Sequence, residues 1–275
     1  MTLRTAAIFA AGCLLLAVPV GCTGNYILTV PDQVAPAGGE AVTVVRLQRS
    51  EIALLALPVE IAVIRFRADD GQERAAYTDS LGYAGTTVPV PMKKGTHVLH
   101  VTHLDREGDE IYQTVPLYVW DPNRPAVAVD LDSLPPAWLK EAAAAARQGL
   151  QRLAEERNVC YLTRRPVEVH AAAHRDLAAG GYPDGPVLLW QQERWHILRE
   201  GMWKVRVVVE SKLVSQLPFL RKTFPGLQTG LTDSAASAKA FAEAGMRVLM
   251  VGGAAGSGPN DVRYADWGDL ARRGL

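Results

Sequence analysis

Between residues 26 and 120 the apolar and β-branched residues fall in short runs. Two are Ala41-Val42-Thr43-Val44-Val45 and Val59-Glu60-Ile61-Ala62-Val63-Ile64; others cover 86–90, 97–102 and 111–119. Turn-forming residues separate them, at Ala37-Gly38-Gly39, Asp69-Asp70-Gly71, Lys94-Gly95 and Arg106-Glu107-Gly108-Asp109. Short strands punctuated in this way predict an all-β sandwich over 26–120. Asp121-Pro122-Asn123-Arg124-Pro125 follows as a stiff linker, because proline fits neither a helix interior nor a central strand. Beyond it the pattern changes. Strands are expected at 126–129, 159–162, 186–190, 227–231 and 247–251, with helices at 136–156, 167–179, 210–223 and 235–244. Alternating strands and helices call for a parallel sheet with helices on both faces, so 126–275 reads as a second, α/β domain.

The first 22 residues read as a targeting segment. Arg4 supplies a positive charge, 5–20 is almost wholly apolar, and Gly21-Cys22 precedes polar Thr23-Gly24-Asn25. That apolar stretch is short for a spanning helix and suits a signal sequence. The small residue before Cys22 resembles a bacterial lipobox, which implies that Cys22 carries lipid and anchors the chain in the cell envelope, outside the cytoplasm. Pro19 stands where that pattern has Leu, Val or Ile. Of the three cysteines, Cys13 lies in the apolar segment, and Cys160, in a strand-like run, reads as a core hydrophobe.

Composition narrows the class. Lysine plus arginine equals aspartate plus glutamate at 29 each, a balance that argues against a nucleic-acid binder. A hydrophobic share of 48% supports a packed core.

The candidate chemistry lies at strand ends. Ala126-Val127-Ala128-Val129 closes in Asp130-Leu131-Asp132. Residues two apart on a strand point the same way, so the two carboxylates are expected side by side, stabilised by a shared cation. Thr163 with Arg164 and Arg165 ends the second strand, Thr232-Asp233-Ser234 ends the fourth, and Lys212 opens the predicted helix before it. A hydroxyl, a lysine and several carboxylates fit phosphoryl transfer.

In order and spacing these segments resemble the haloacid dehalogenase phosphatase superfamily, nearest its lipin-type, phosphatidate phosphatase branch. The carriers are the Asp130-Leu131-Asp132 strand end, Tyr161-Leu162-Thr163-Arg164-Arg165-Pro166, Gly181-Tyr182-Pro183-Asp184-Gly185-Pro186, Ser211-Lys212-Leu213 and Gly230-Leu231-Thr232-Asp233. The resemblance implies a Rossmann-like fold and a Mg²⁺-dependent phosphohydrolase. Asp130 would be the nucleophile, forming an aspartyl-phosphate, and Asp132 the general acid/base. Thr163 and Lys212 would hold the phosphoryl group, Asp130, Asp132 and Asp233 the metal, and the substrate would be a phosphorylated small molecule or lipid. Two positions depart from the pattern: Leu134 replaces a threonine, and Ser237 replaces a second acid. They motivate the alternative of a domain that has lost catalysis and serves as an envelope binding or scaffolding lipoprotein. In the first half, Thr78-Asp79-Ser80-Leu81-Gly82-Tyr83-Ala84 resembles a turn of bacterial immunoglobulin-like domains.

Other residues tempt a metal reading. His97, His100 and His103 cannot share one face of a strand, and a surface strand is expected there. His170 and His174, one helical turn apart, are expected on a helix surface. Gly252, Gly253, Gly256 and Gly258 read as a loop, and Trp190, Trp195 and Trp203 as core.

Overall fold

The computed structural model of the protein describes residues 26–52, 55–69, 71–200, 204–252 and 261–274. The targeting segment with Cys22, Trp203, and Gly253, Gly256 and Gly258 lie outside the described residues.

The first half is a two-sheet β-sandwich. Its strands are β1 (Tyr26–Thr29), β2 (Gln33–Pro36), β3 (Glu40–Ile52), β4 (Leu55–Pro58), β5 (Val63–Ala68), β6 (Arg74–Tyr77), β7 (Tyr83–Pro89), β8 (Gly95–Leu104) and β9 (Glu110–Trp120). In one sheet β1, β4 and β7 all pair antiparallel with β3. The other runs β2-β9-β8-β5-β6, with β2 joining β9 in parallel. Leu47, Ile64, Phe66, Leu99, Val101 and Leu117 form the core between them. The strand expected over 59–64 is interrupted. Ile61 takes φ 60°, and Thr78 holds the turn by accepting the Ala62 N–H at 2.8 Å.

The second half contains β10 (Ala126–Asp130), α1 (Lys140–Glu156), β11 (Asn158–Thr163), α2 (His170–Ala179), β12 (Val187–Leu189), β13 (Gln191–Glu200), β14 (Lys204–Ser215), α3 (Leu217–Thr223), β15 (Leu227–Thr232), α4 (Ala235–Glu243), β16 (Arg247–Val251), β17 (Val262–Tyr264) and α5 (Trp267–Arg273). Six strands form a parallel sheet in the order β12-β11-β10-β15-β16-β17. Every residue of β10 is buried, which explains its unbroken apolar run: both faces of a parallel sheet are covered. Ala146, Leu150 and Leu153 of α1, with Leu177 of α2 and Leu270 of α5, cover one face. Leu217 and Leu220 of α3 and Phe241 of α4 cover the other, where Tyr118 and Trp120 of β9 join them.

The helix expected over 210–223 is corrected. Strands β13 and β14 form a long antiparallel hairpin, and a helix begins only at Leu217. Apolar residues at 213, 214, 217 and 220 mimic helical spacing. A register shift at Glu193/Arg194, where Glu193 pairs with Leu213 and Arg194 with Glu210, breaks the alternation that would mark a strand.

The two halves are joined by polar contacts that are buried or partly buried. The Asp32 carboxylate is bonded to His174 Nε2 at 2.6 Å and accepts the Val187 N–H at 2.7 Å. Asp184 accepts the Tyr118 hydroxyl at 2.8 Å, and Tyr83 donates to Glu193 at 2.8 Å. A Cβ on Gly85 of β7 would lie 2.7 Å from Cβ of Val207 on β14, so glycine lets the hairpin close on the sandwich.

Candidate functional site

From β10 the chain moves outward to β11 and β12, then returns to β15 on the other side of β10. Ligands of open parallel sheets bind at the carboxyl ends of strands where the order reverses in this way. Asp130, Thr163 and Thr232 are the last residues of β10, β11 and β15 and meet at that rim.

Asp130 is 1% exposed. Its Oδ2 accepts hydroxyls from Ser133 at 3.0 Å and Thr232 at 3.0 Å, while Oδ1 accepts the Asp132 N–H at 3.3 Å. Arg164 Nη1 stands 3.8 Å from Oδ1. Asp132 faces the opposite neighbour. It accepts the Thr163 hydroxyl at 3.1 Å and the Arg164 N–H at 3.0 Å, and pairs with Arg165 Nε at 3.1 Å. The side-by-side arrangement expected from the strand period is therefore not formed. A 3₁₀ turn over Leu131–Ser133 follows β10 at once, and the carboxylates part, Asp130 toward β15 and Asp132 toward β11.

Arg164 is the hub of the rim. Its side chain is 52% exposed, lies 4.9 Å over the Trp190 ring, and donates to Ser237 Oγ in the first turn of α4 at 2.9 Å. Trp190, buried against Phe241, makes a fixed floor. Arg164 borders a cavity of about 570 Å³ with Thr163 and Trp190. Arg165 borders another of about 690 Å³ with Leu131, Leu134 and Pro135. Neither wall includes Asp130, Asp132 or Asp233.

Of the expected site residues, Asp130, Asp132 and Thr163 come together. Lys212 does not join them: it is exposed on β14, beside the register shift. Asp233 is exposed and has no hydrogen bond or ion pair among the described residues. The arrangement does not fit a three-carboxylate Mg²⁺ centre. The ligand atoms of Asp130, Asp132 and Asp233 do not all fall within 4.8 Å of one another, and two guanidinium groups already balance the first two charges. Asp105, Glu107 and Asp109 do gather within that distance, but Asp105 Oδ1 is occupied in capping its own turn.

Ser133 and Asp32 carry no role in the sequence pattern, and Thr232 enters there only as part of a strand end. Ser133 lies three residues after Asp130, the spacing of a helix-capping pair, and was a readable signal. The expectations for His103, His170 and His174 are corrected. His103 is buried and bonds the Val63 carbonyl, and His170 is buried in α2. His174 reaches into the sandwich. Burial pushes the His170 imidazole down. For His174 burial acts downward too, but the bond and charge of Asp32 outweigh it and the net shift is upward. Cys160 is core, as expected, its thiol pushed up to about 12 by burial.

No protein-family model matches the chain, and no curated protein matches it. Solved structures with some likeness include the D0-D1 domain of intimin (14% identity, TM-score 0.25, 34% of this chain and 49% of that one). Another is invasin, a bacterial integrin-binding protein (16%, 0.27, 40% and 23%). A third is a carbohydrate acetylesterase from Xanthomonas citri (14%, 0.35, 82% and 60%). The chain spans about half of the intimin fragment and less than a quarter of invasin. At these scores the likenesses assign no activity. The haloacid dehalogenase resemblance is corrected: no family model supports it, and the rim brings together neither the lysine nor the three carboxylates that it implies. The β-sandwich expected for the first half is formed, and the strand-rich chain has its parallel sheet as the smaller part.

Proposed function

We propose that the chain is an exported, envelope-associated protein that binds a phosphate monoester, on a small molecule or a lipid headgroup, at the β10–β11–β15 rim without turning it over. Export rests on Arg4, the apolar 5–20 segment and Cys22. Among the described residues no helix is long and apolar enough to cross a membrane.

The observation that carries the reading is the placement of Arg164. A guanidinium offers five N–H donors in a planar fork suited to phosphate oxygens. Trp190 and Ser237 hold this one in place, half exposed, beside the amino-terminal turn of α4. Helix amino-termini carry partial positive charge and favour anions. Asp130, buried with both oxygens occupied, serves as the fixed counter-charge behind Arg164 rather than as a nucleophile.

Calorimetric titration with glycerol 3-phosphate tests this. Wild type binds without Mg²⁺, and Arg164→Ala binds at least about tenfold more weakly. Equal affinity for the two proteins contradicts the reading.

One observation favours the second reading, phosphomonoester hydrolysis: Asp233 is an exposed carboxylate without a partner among the described residues, open to a cation such as Mg²⁺. Phosphate release by wild type with Mg²⁺, above an Asp130→Asn control, would establish it in place of the first.

A further inference from the structure

The outer face of β3 breaks the usual alternation of a sandwich strand. Ala41, Val45 and Leu47 point into the core, and the opposite face should be polar if it met water. It carries Val42 and Val44 instead. These two face a cavity of about 480 Å³ between the sandwich and the second half, closed by Trp195 and Leu213 of the hairpin and Phe219 and Leu220 of α3. The volume lies in the range of small-molecule sites, which favour domain interfaces. At the mouth, Leu213 is 57% and Phe219 45% exposed. Large apolar side chains left in water beside a void mark a surface that gains by being covered.

The charged groups at its border choose the ligand. Glu168 and Glu193 stand against one guanidinium, Arg46, and Glu193 also accepts the Tyr83 hydroxyl. Arg46 is itself occupied, lying 5.2 Å over the Tyr83 ring and donating to the Leu81 carbonyl. The acidic Asp32 on the same wall is matched by His174. A carboxylate or phosphate head would meet net negative charge here, and an ammonium would be drawn to it.

We infer that this cavity binds an aliphatic amine, its chain laid against Val42, Val44 and Trp195 and its ammonium directed to the bordering glutamates. The site is separate from the Arg164 rim and takes a ligand of opposite charge.

Titration calorimetry on the full chain with decylamine and decanoate, both below their micellar concentrations, tests the inference. Decylamine is expected to bind saturably, one per chain, at least about tenfold more tightly than decanoate. Val42→Trp, which fills the cavity, should weaken decylamine at least about tenfold while glycerol 3-phosphate binding is unchanged. If that variant does not fold, Phe219→Ser at the exposed mouth is read in its place. No saturable decylamine binding, decanoate binding as tight, or full affinity in the folded variant would each overturn it.

Discussion

Asp130 is a buried charge with its partners in place, and that decides how the rim behaves when it is altered. Asp130→Asn puts an amide where two hydroxyls and an N–H now donate, so some of these donors lose their acceptor. Hydrogen bonds to a buried charge are worth about 1.5–3 kcal/mol, and the variant should lose about 2 kcal/mol of stability in urea denaturation. Ser133→Ala removes one donor while Thr232 remains, and about 1 kcal/mol is expected. Equal, negligible losses would mean the network does not hold the rim. Asp130, Asp132 and Thr163 could be read from the sequence as residues closing strands. Their division between β15 and β11 could not, because it depends on a three-residue 3₁₀ turn that the period-two rule for strands does not foresee.

The parallel strands and most helices were legible because apolar runs on a doubly covered sheet carry a plain signal. Strands β10, β11, β15 and β16 lie where the pattern puts them. The β13–β14 hairpin was hidden by its register shift, and with it went the role assigned to Lys212, which belongs to a strand and not to a helix at the rim. Lys212→Ala should leave stability within about 0.5 kcal/mol and glycerol 3-phosphate affinity unchanged. A marked loss of binding would return the lysine to the site. Strand β15 makes a contrasting demand. A Cβ on Gly230 would lie 2.3 Å from the Phe241 ring of α4, and that ring is fully buried. Gly230→Ala should therefore cost about 1–3 kcal/mol by overpacking, read from the denaturation midpoint.

The sandwich and the parallel sheet are held together at Asp32–His174, a pair of residues 142 positions apart that no local pattern could have joined. His174 has its pKa raised above 6.5, so its contribution to stability is fully present below pH 6.5 and is lost as pH rises through the raised value. His170, shifted downward, works the other way and loses stability as pH falls. The difference in Tm between wild type and His174→Gln isolates the first effect. It should be largest below pH 6.5 and shrink at higher pH; a difference that grows with pH contradicts the assignment. The most direct measurement for the proposed function is where a phosphate ester acts on the whole chain. Backbone amide shifts, followed by NMR as glycerol 3-phosphate is added, should move together at 163–165 and 235–237, with the β8–β9 turn and β17 unmoved. Shifts absent from the rim, or spread evenly over the molecule, would contradict it.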